Sequence, residues 1–575
     1  MFKINPENPP ARLICILSIF ITVFFISAAH TAVKPNVVIV LIDNHGYHEL
    51  SRNGHPVVQT PRIDRLSRTG VNFTDFNAPP FCSPSRGALL TGRYALRYGI
   101  HNTVGGVSIL HRDERTLADV MKSAGYRTAV FGKWHLGMSH PYTPDCRGFD
   151  EYFIHGGGGV SQLEDYYGNN HMDATYIHQG QYVKSRGFST DVLFDQGIDF
   201  MNRNRETPFF CLISTPAVHF PTLLHPETGK RLKDRGITDE KQLPLWSMIE
   251  NVDENVGRLL DYLKASGLKE NTVLFLMSDQ GVNDRGVTHR AGAGTRRGVQ
   301  YDEKHQVYCM VQYPKITDAQ PGDRSELTGM VDVLPTVLDV CGIEPPSNLD
   351  GQSMRPLLAH TSGWNGERKL IIQCPRARER SKWGNLSVKY KKWRLVDGKE
   401  LYDIRDDHGQ TRNLIDQYPR LVKALTASYE TFWSELPPQS ELLSAHVLGA
   451  EEAPSVRLNA MDWYEGGHPW PQQALAKRKE QGKWRVDMAR SGLYRFELRH
   501  YPREEPRPAE AVKASVIVGN HSRSTLLDVD ATHAVLELKL EKGLHDLYTV
   551  FQRPDDHEGN KEWGAYYVYV DYQGE

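Results

Sequence analysis

The sequence predicts an α/β protein in which a largely parallel sheet, covered by helices on both faces, is followed by two smaller antiparallel regions. Three observations predict it. Short unbroken apolar runs rich in β-branched residues each end in a polar residue, the pattern of strands buried on both faces. Amphipathic helical stretches lie between these runs. Beyond residue 345 the pattern changes to alternation broken by Gly and Asp turns. At 575 residues the chain is too long for one ordinary core, so two or three domains are expected.

Lys3 and Arg12 flank an apolar run at 13–26, and Ser27-Ala28-Ala29 offers small residues where a signal peptidase reads. Residues 1–29 therefore read as an export signal, giving a periplasmic or secreted protein with no membrane span after cleavage. An uncleaved anchor is the alternative. The first buried strand, at 36–42, ends in Asp43. A second, at 128–131, runs into Lys133 and His135; a third, at 208–213, leads to His219; a fourth, at 272–277, leads to Asp279. Leu117, Val120, Met121 and Ala124 line one helix closed by Gly125. Trp246, Ile249, Val252, Val256, Leu259, Leu260 and Leu263 line another, closed by Gly267. Ligands of such sheets sit outside the carboxyl ends of the strands, so Asp43, Lys133, His135, His219 and Asp279 should converge on one crevice with Cys82.

Further along, Trp393 to Val396 and Leu401 to Ile404 read as a hairpin around Asp397-Gly398, with a helix lined by Leu421, Val422, Leu425, Tyr429, Phe432 and Trp433. The alternation around Trp484, Tyr494, Val535 and Tyr566 reads as a β-sandwich at 451–575. Its Trp463, Trp470, Trp484 and Trp563 are either a sugar-stacking face or core, and core is the commoner fate of such residues. With 39% apolar and 24% charged residues the chain is globular throughout, and a net charge of −2 gives no basic field for nucleic acid.

The most informative string is Phe81-Cys82-Ser83-Pro84-Ser85-Arg86-Gly87-Ala88-Leu89-Leu90-Thr91-Gly92-Arg93. Pro84 suits the first turn of a helix and Ser83 can cap it. The free N–H groups of that helix end, with Arg86 one turn from Cys82, make a site for a tetrahedral oxyanion. Buried Cys residues and Ser-Pro helix starts are common, so these features alone would be ordinary. The whole string resembles the signature of the type I sulfatases, and Gly132-Lys133-Trp134-His135 matches a second motif of that family.

The resemblance implies an alkaline-phosphatase-like catalytic domain at 34–345 and a small α+β subdomain at 346–436. It implies that a maturation enzyme converts Cys82 to formylglycine (3-oxoalanine), whose hydrate attacks a sulfate ester to give a covalent sulfate hemiacetal. Lys133 would bind the sulfate, His135 would remove the proton that releases it, and His219 would protonate the leaving group. Arg297 stands where the family has a Lys, so it is assigned to charge stabilisation. One Ca²⁺ is expected on Asp43, Asn44, Asp279 and Gln280, with Cys82, as converted, a fifth ligand. Asn44 replaces an acid and Gln280 an Asn, which removes one anionic ligand and lengthens another. Cys82 and the leader's Cys15 set aside, five of seven Cys remain, which is no disulfide framework, although one incidental bridge is open.

The expected function is hydrolysis of sulfate monoesters, with a sulfated carbohydrate as substrate. Two alternatives stand beside it: a phosphate or phosphonate ester hydrolase on the same scaffold, and an inactive glycan-binding protein. His45, His48, His155, His171 and His178 are further candidates to line the pocket, with Gly156 to Gly159 as a flexible loop.

Overall fold

The central sheet is built from β1 (Asn36–Ile42), β2 (Val71–Asn77), β3 (Arg127–Lys133), β4 (Glu151–His155), β5 (Thr175–His178), β6 (Gln181–Lys184), β7 (Phe209–Thr215), β8 (Thr272–Ser278), β9 (Gln306–Gln312), β10 (Gly322–Arg324) and β11 (Thr328–Gly329). Their order is β10-β2-β9-β8-β1-β7-β3-β4-β5-β6, with β11 beside β2. β8, β1, β7, β3 and β4 run parallel. β9 is antiparallel between β8 and β2, and β5 and β6 turn back at the other edge. This computed structural model describes residues 34–281, 298–554 and 561–575, so the expected leader and Arg297 lie outside the described residues.

The apolar runs explain why the sheet is covered twice. In β1, Val37, Ile39 and Leu41 enter one core while Val38, Val40 and Ile42 enter the other, and β7 and β8 split their side chains the same way. Each such side chain contributes about 1.5–3 kcal/mol by leaving water. On the second face lies the long helix Leu243–Ala265, whose Trp246, Ile249, Val252, Val256, Leu259 and Leu263 are all buried there. Cys82–Thr91, Leu117–Ser123 and Val333–Val340 cover the first face.

The small subdomain is a four-stranded antiparallel sheet, Leu370–Gln373, Leu386–Tyr390, Trp393–Val396 and Glu400–Asp403, packed by the helix Pro419–Ser434. Its expected hairpin turns at Asp397 and Gly398, with φ of 48° and 68°. A buried ion cluster ties it to the central sheet: Lys389 Nζ lies 2.5 Å from Asp302 Oδ1, Arg394 Nε 2.9 Å from Asp302 Oδ2, and Arg394 Nη2 2.7 Å from Asp75 Oδ1. Burial alone would raise the Asp302 carboxyl, but the two cations outweigh it and hold it well below the usual range.

The C-terminal region is a sandwich. One sheet holds His446–Leu448, Gly482–Met488, Gly543–Gln552, Lys513–Val518 and His521–Leu526, with short strands at its edges; the other holds Ser455–Asn459, Tyr567–Gly574, Gly492–Arg499 and Ala534–Leu540. Their inner faces close on one core that also takes in Leu163. The stacking-face alternative is corrected here, because Trp463, Trp484 and Trp563 are fully buried in that core and only Trp470 is half-exposed. Inward-facing positions of the strands claim them. Residues Pro35–Glu575 form one compact unit. Among the described residues no helix is long and apolar enough to cross a membrane, and the six cysteines are free thiols.

Asp302→Asn leaves Lys389 and Arg394 buried beside a neutral partner, so it should destabilise the joint between sheet and subdomain by about 3–5 kcal/mol. Urea unfolding followed by tryptophan fluorescence would read this, with Lys391→Ala, which breaks an exposed pair with Glu367, leaving the midpoint unmoved.

Candidate active site

Six of the expected residues lie at the carboxyl edge of the parallel strands. Asp43 follows β1 directly, Asp279 and Gln280 follow β8, Lys133 is the last residue of β3 with His135 two positions on, and His219 lies in the loop after β7. Because β8, β1, β7 and β3 are successive neighbours, these loops stand side by side. Cys82 joins them as the first residue of its helix.

Hydrogen bonds fix the floor of the site. Lys133 Nζ donates to Asp43 Oδ2 at 2.5 Å, and both side chains are out of reach of water. Arg86 donates through Nη1 to the Lys133 carbonyl at 2.8 Å and to Ser214 Oγ at 2.5 Å, and through Nη2 to Asp279 Oδ2 at 2.8 Å. Its Nε is buried without a partner. The expected anion ligand therefore commits its terminal nitrogens to protein oxygens and ties the ends of β3 and β7 to Asp279. Asn44, held at φ 58°, donates its backbone N–H to Asp279 Oδ1 at 3.1 Å. Asp43 exchanges backbone hydrogen bonds with Ala217 and Val218, which locks the β1 and β7 loops together.

Ser83 is not the helix cap. The helix begins at Cys82, Phe81 occupies the cap position without a side-chain bond, and Ser83 Oγ is buried without a partner. Pro84 does sit in the first turn. Burial pushes the Cys82 thiol up; Lys133 and Arg86 pull it down, Asp43 and Asp279 push it up again, and the net shift is upward. A thiol in this setting stays protonated near neutral pH and is a weak nucleophile and ligand.

Burial holds both histidines neutral. It lowers His135 well below 6.5, helped by the charges of Lys133 and Arg86, and brings His219 down to about 3. His135, at φ 58°, places Nε2 3.1 Å from the Thr103 carbonyl, so Nε2–H donates and Nδ1, which has no partner, carries the lone pair. His219 donates Nδ1–H to the Phe220 carbonyl at 2.5 Å, which leaves Nε2 as its open nitrogen, and its ring stacks on Phe220. The glycine run is a packing requirement: a Cβ on Gly158 would lie 2.3 Å from His135 Cε1, and one on Gly159 2.9 Å from His219 Cε1. Among the other histidines, His45 and His171 direct Nδ1 to Tyr308 and Ser189 in the interior.

Three buried oxygens, Asp43 Oδ1, Asn44 Oδ1 and Gln280 Oε1, have no protein partner. Each would cost about 1–3 kcal/mol if left so. With Asp279 they form an oxygen-only donor set, which fits a hard divalent cation such as Ca²⁺. Burial and then the neighbouring Asp43 charge raise Asp279 to about 6, the response of a carboxylate short of positive charge. Among the described residues no three His, Cys, Asp or Glu side chains gather as a metal cage, since half of this donor set is amide. Ser214, Ser85, whose hydroxyl reaches the Asp279 carbonyl, and the Thr103 carbonyl were not singled out by sequence. Only the placement of Ser214 at a strand end could have signalled its part.

A family model described as Sulfatase matches residues 35–343, more than half of the chain, and one described as N-sulphoglucosamine sulphohydrolase, C-terminal, matches 296–432. An N-acetylglucosamine-6-O-sulfatase of Bacteroides thetaiotaomicron is 25% identical over 531 residues, covering 74% of this chain and 91% of its own. An N-acetylgalactosamine-6-sulfatase of Mus musculus is 27% identical, covering 58% and 67%. The solved structure of Ps i-CgsB in complex with k-i-k-neocarrahexaose aligns with a TM-score of 0.62 at 25% identity, covering 71% of this chain and 94% of that one.

In protein carrying the unconverted thiol, iodoacetamide at neutral pH should label the exposed Cys146 while Cys82, buried and raised, is labelled at least ~10-fold more slowly. Peptide mass spectrometry over a time course would check the order.

Proposed function

The chain belongs to the sulfatase family, and from that premise we propose that it hydrolyses sulfate monoesters of a carbohydrate in the crevice around residue 82. The observation that carries the reading is the single buried cluster in which Asp43, Lys133, Arg86 and Asp279 meet at the start of the Cys82 helix. A sulfate ester repels nucleophiles with its own charge, so its hydrolysis needs cations around the oxygens, an activated nucleophile and an acid for the leaving alcohol. The carbohydrate half is supported by relatives named for 6-sulfated amino sugars and by the solved neighbour bound to a neocarrahexaose.

Converted to formylglycine by a maturation enzyme, residue 82 would supply a hydrated aldehyde as nucleophile, and Ca²⁺ on Asp43, Asn44, Asp279 and Gln280 would supply positive charge against the sulfate oxygens. The chain's own residues do the rest. Lys133, anchored on Asp43, offers a fixed ammonium to the anion. His135 is the base, because its Nδ1 lone pair is unshared and its Nε2–H is pinned to Thr103. His219 is the acid: it rests neutral, and a sulfate beside Nε2 raises its affinity for a proton, so the proton it gives the leaving oxygen arrives with the substrate. Arg297 remains an assignment to charge stabilisation. The leader at 1–29 supports export to the periplasm or beyond.

Cys82→Ala should lower sulfate release by at least ~1,000-fold with an unchanged circular dichroism spectrum. The assay is a panel of defined sulfated saccharides and 4-nitrophenyl sulfate, run beside 4-nitrophenyl phosphate, with the mass of the peptide holding residue 82 reporting its conversion. Faster turnover of the phosphate ester would assign the protein to that reaction instead. Asn44→Asp, which restores an acid to the cation site, should tighten Ca²⁺ about tenfold by calorimetry, since ligand charge tunes such affinities. Unchanged or weaker binding would mean that geometry, and not the lost charge, sets the affinity.

A further inference from the structure

His135 and His219 are each oriented by backbone, and that backbone is held from the C-terminal sandwich region. The loop at 156–165 covers both rings, with Gly158 and Gly159 against them as described, and Gly158 N–H donates to Gln162 Oε1 at 2.8 Å. Gln162 pairs as an isolated β-bridge with Pro471, and Gln472 N–H donates to the Ser161 carbonyl at 3.0 Å. The side chain of Gln472, itself buried, places Nε2 2.8 Å from the Gln162 carbonyl, 3.3 Å from that of Asp165 and 3.2 Å from that of Tyr166, while its Oε1 accepts from Gly168 N–H at 2.9 Å. One amide thus gathers four backbone groups between residues 162 and 168, at the end of the loop and just beyond it.

Three further contacts act in the same sense. Leu163 N–H donates to the Trp470 carbonyl at 2.9 Å, and Trp470 meets the edge of Phe220, the ring on which His219 stacks. On the other side, Gly105 N–H donates to the Met461 carbonyl at 2.7 Å, which steadies the loop whose Thr103 carbonyl orients His135. Both histidines therefore face the reaction from a wall that residues 461–472 brace from behind.

We propose that the sandwich completes the active site, with Gln472 as a positioning residue that keeps the Gly158-Gly159 backbone against His135 and His219. A misplacement of about 1 Å in a proton-transfer group can cost on the order of a hundredfold in rate, so a brace this far from the chemistry carries weight. The inference rests on the reading of the two histidines as acid and base.

The test uses the full chain with Gln472→Met, which keeps the volume and removes all four side-chain bonds. Hydrogen exchange of the peptide spanning 156–165 should accelerate about tenfold while peptides of the sandwich core keep their protection. Turnover of phenyl sulfate, a poor leaving group, should fall at least ~10-fold more than turnover of 4-nitrophenyl sulfate, with KM little changed. That ratio is independent of how much enzyme is folded. Should Gln472→Met fail to fold, Gln162→Met cuts the link to Gly158 alone and should give the same two results. Unchanged exchange in a folded variant overturns the brace. Faster exchange with equal losses on both esters overturns the positioning of the acid while leaving the brace. A wild-type protein inert on every sulfate ester would instead refute the functional reading, and the exchange result would still decide the brace.

Discussion

Everything at this site depends on keeping two carboxylates and two cations together out of water. Asp43 and Asp279 follow neighbouring strands, and in an apolar setting their charges could not coexist without Lys133 and Arg86. The cations in turn explain local structure. Arg86 reaches the Lys133 carbonyl only because the Cys82 helix starts beside the ends of β3 and β7, and Asn44 adopts a left-handed backbone so that its N–H meets Asp279. Losing one member would leave the others charged and unpaired, and such a defect typically costs 3–5 kcal/mol.

The same dryness sets the protonation states. Histidines that would titrate near neutral pH in water are held neutral here, and the thiol is held protonated. A neutral His135 suits a base. A neutral His219 suits an acid only once an anion has entered, which couples its proton to the arrival of substrate. An empty site therefore carries no imidazolium to be neutralised by stray buffer anions, and the charge appears where the ester is.

The central sheet was legible because a strand buried on both faces cannot hide its composition: β1, β3, β7 and β8 each carry an unbroken apolar run and lead into residues that meet in the crevice. The small subdomain was legible from its Asp397-Gly398 turn and its amphipathic helix. What could not be read was anything decided by tertiary contact. Ser83 has the chemistry of a cap but points into the interior, three of the four Trp residues vanish into the sandwich core, and Arg86 turns out to be a structural fork. The glycine run was read as flexible, although Gly158 and Gly159 stand where a side chain would meet the rings of His135 and His219, and Gly156 where one would meet the Glu164 backbone. Gln472 left no trace in the sequence, since a lone glutamine in an unrelated stretch has no pattern to announce it.

Gln472 also lies 310 residues beyond the Gln162 carbonyl it holds, which makes the site a contact between distant times as well as distant positions. A ribosome emits the sheet, the helices and every acid–base group long before it emits the strap that braces them. Such a long loop closes late, after the central domain has had time to collapse on its own. With the brace proposed above, the nascent chain carries the acid and base in an unfinished form, and activity begins once the strap at 461–472 has folded back onto the loop at 156–165.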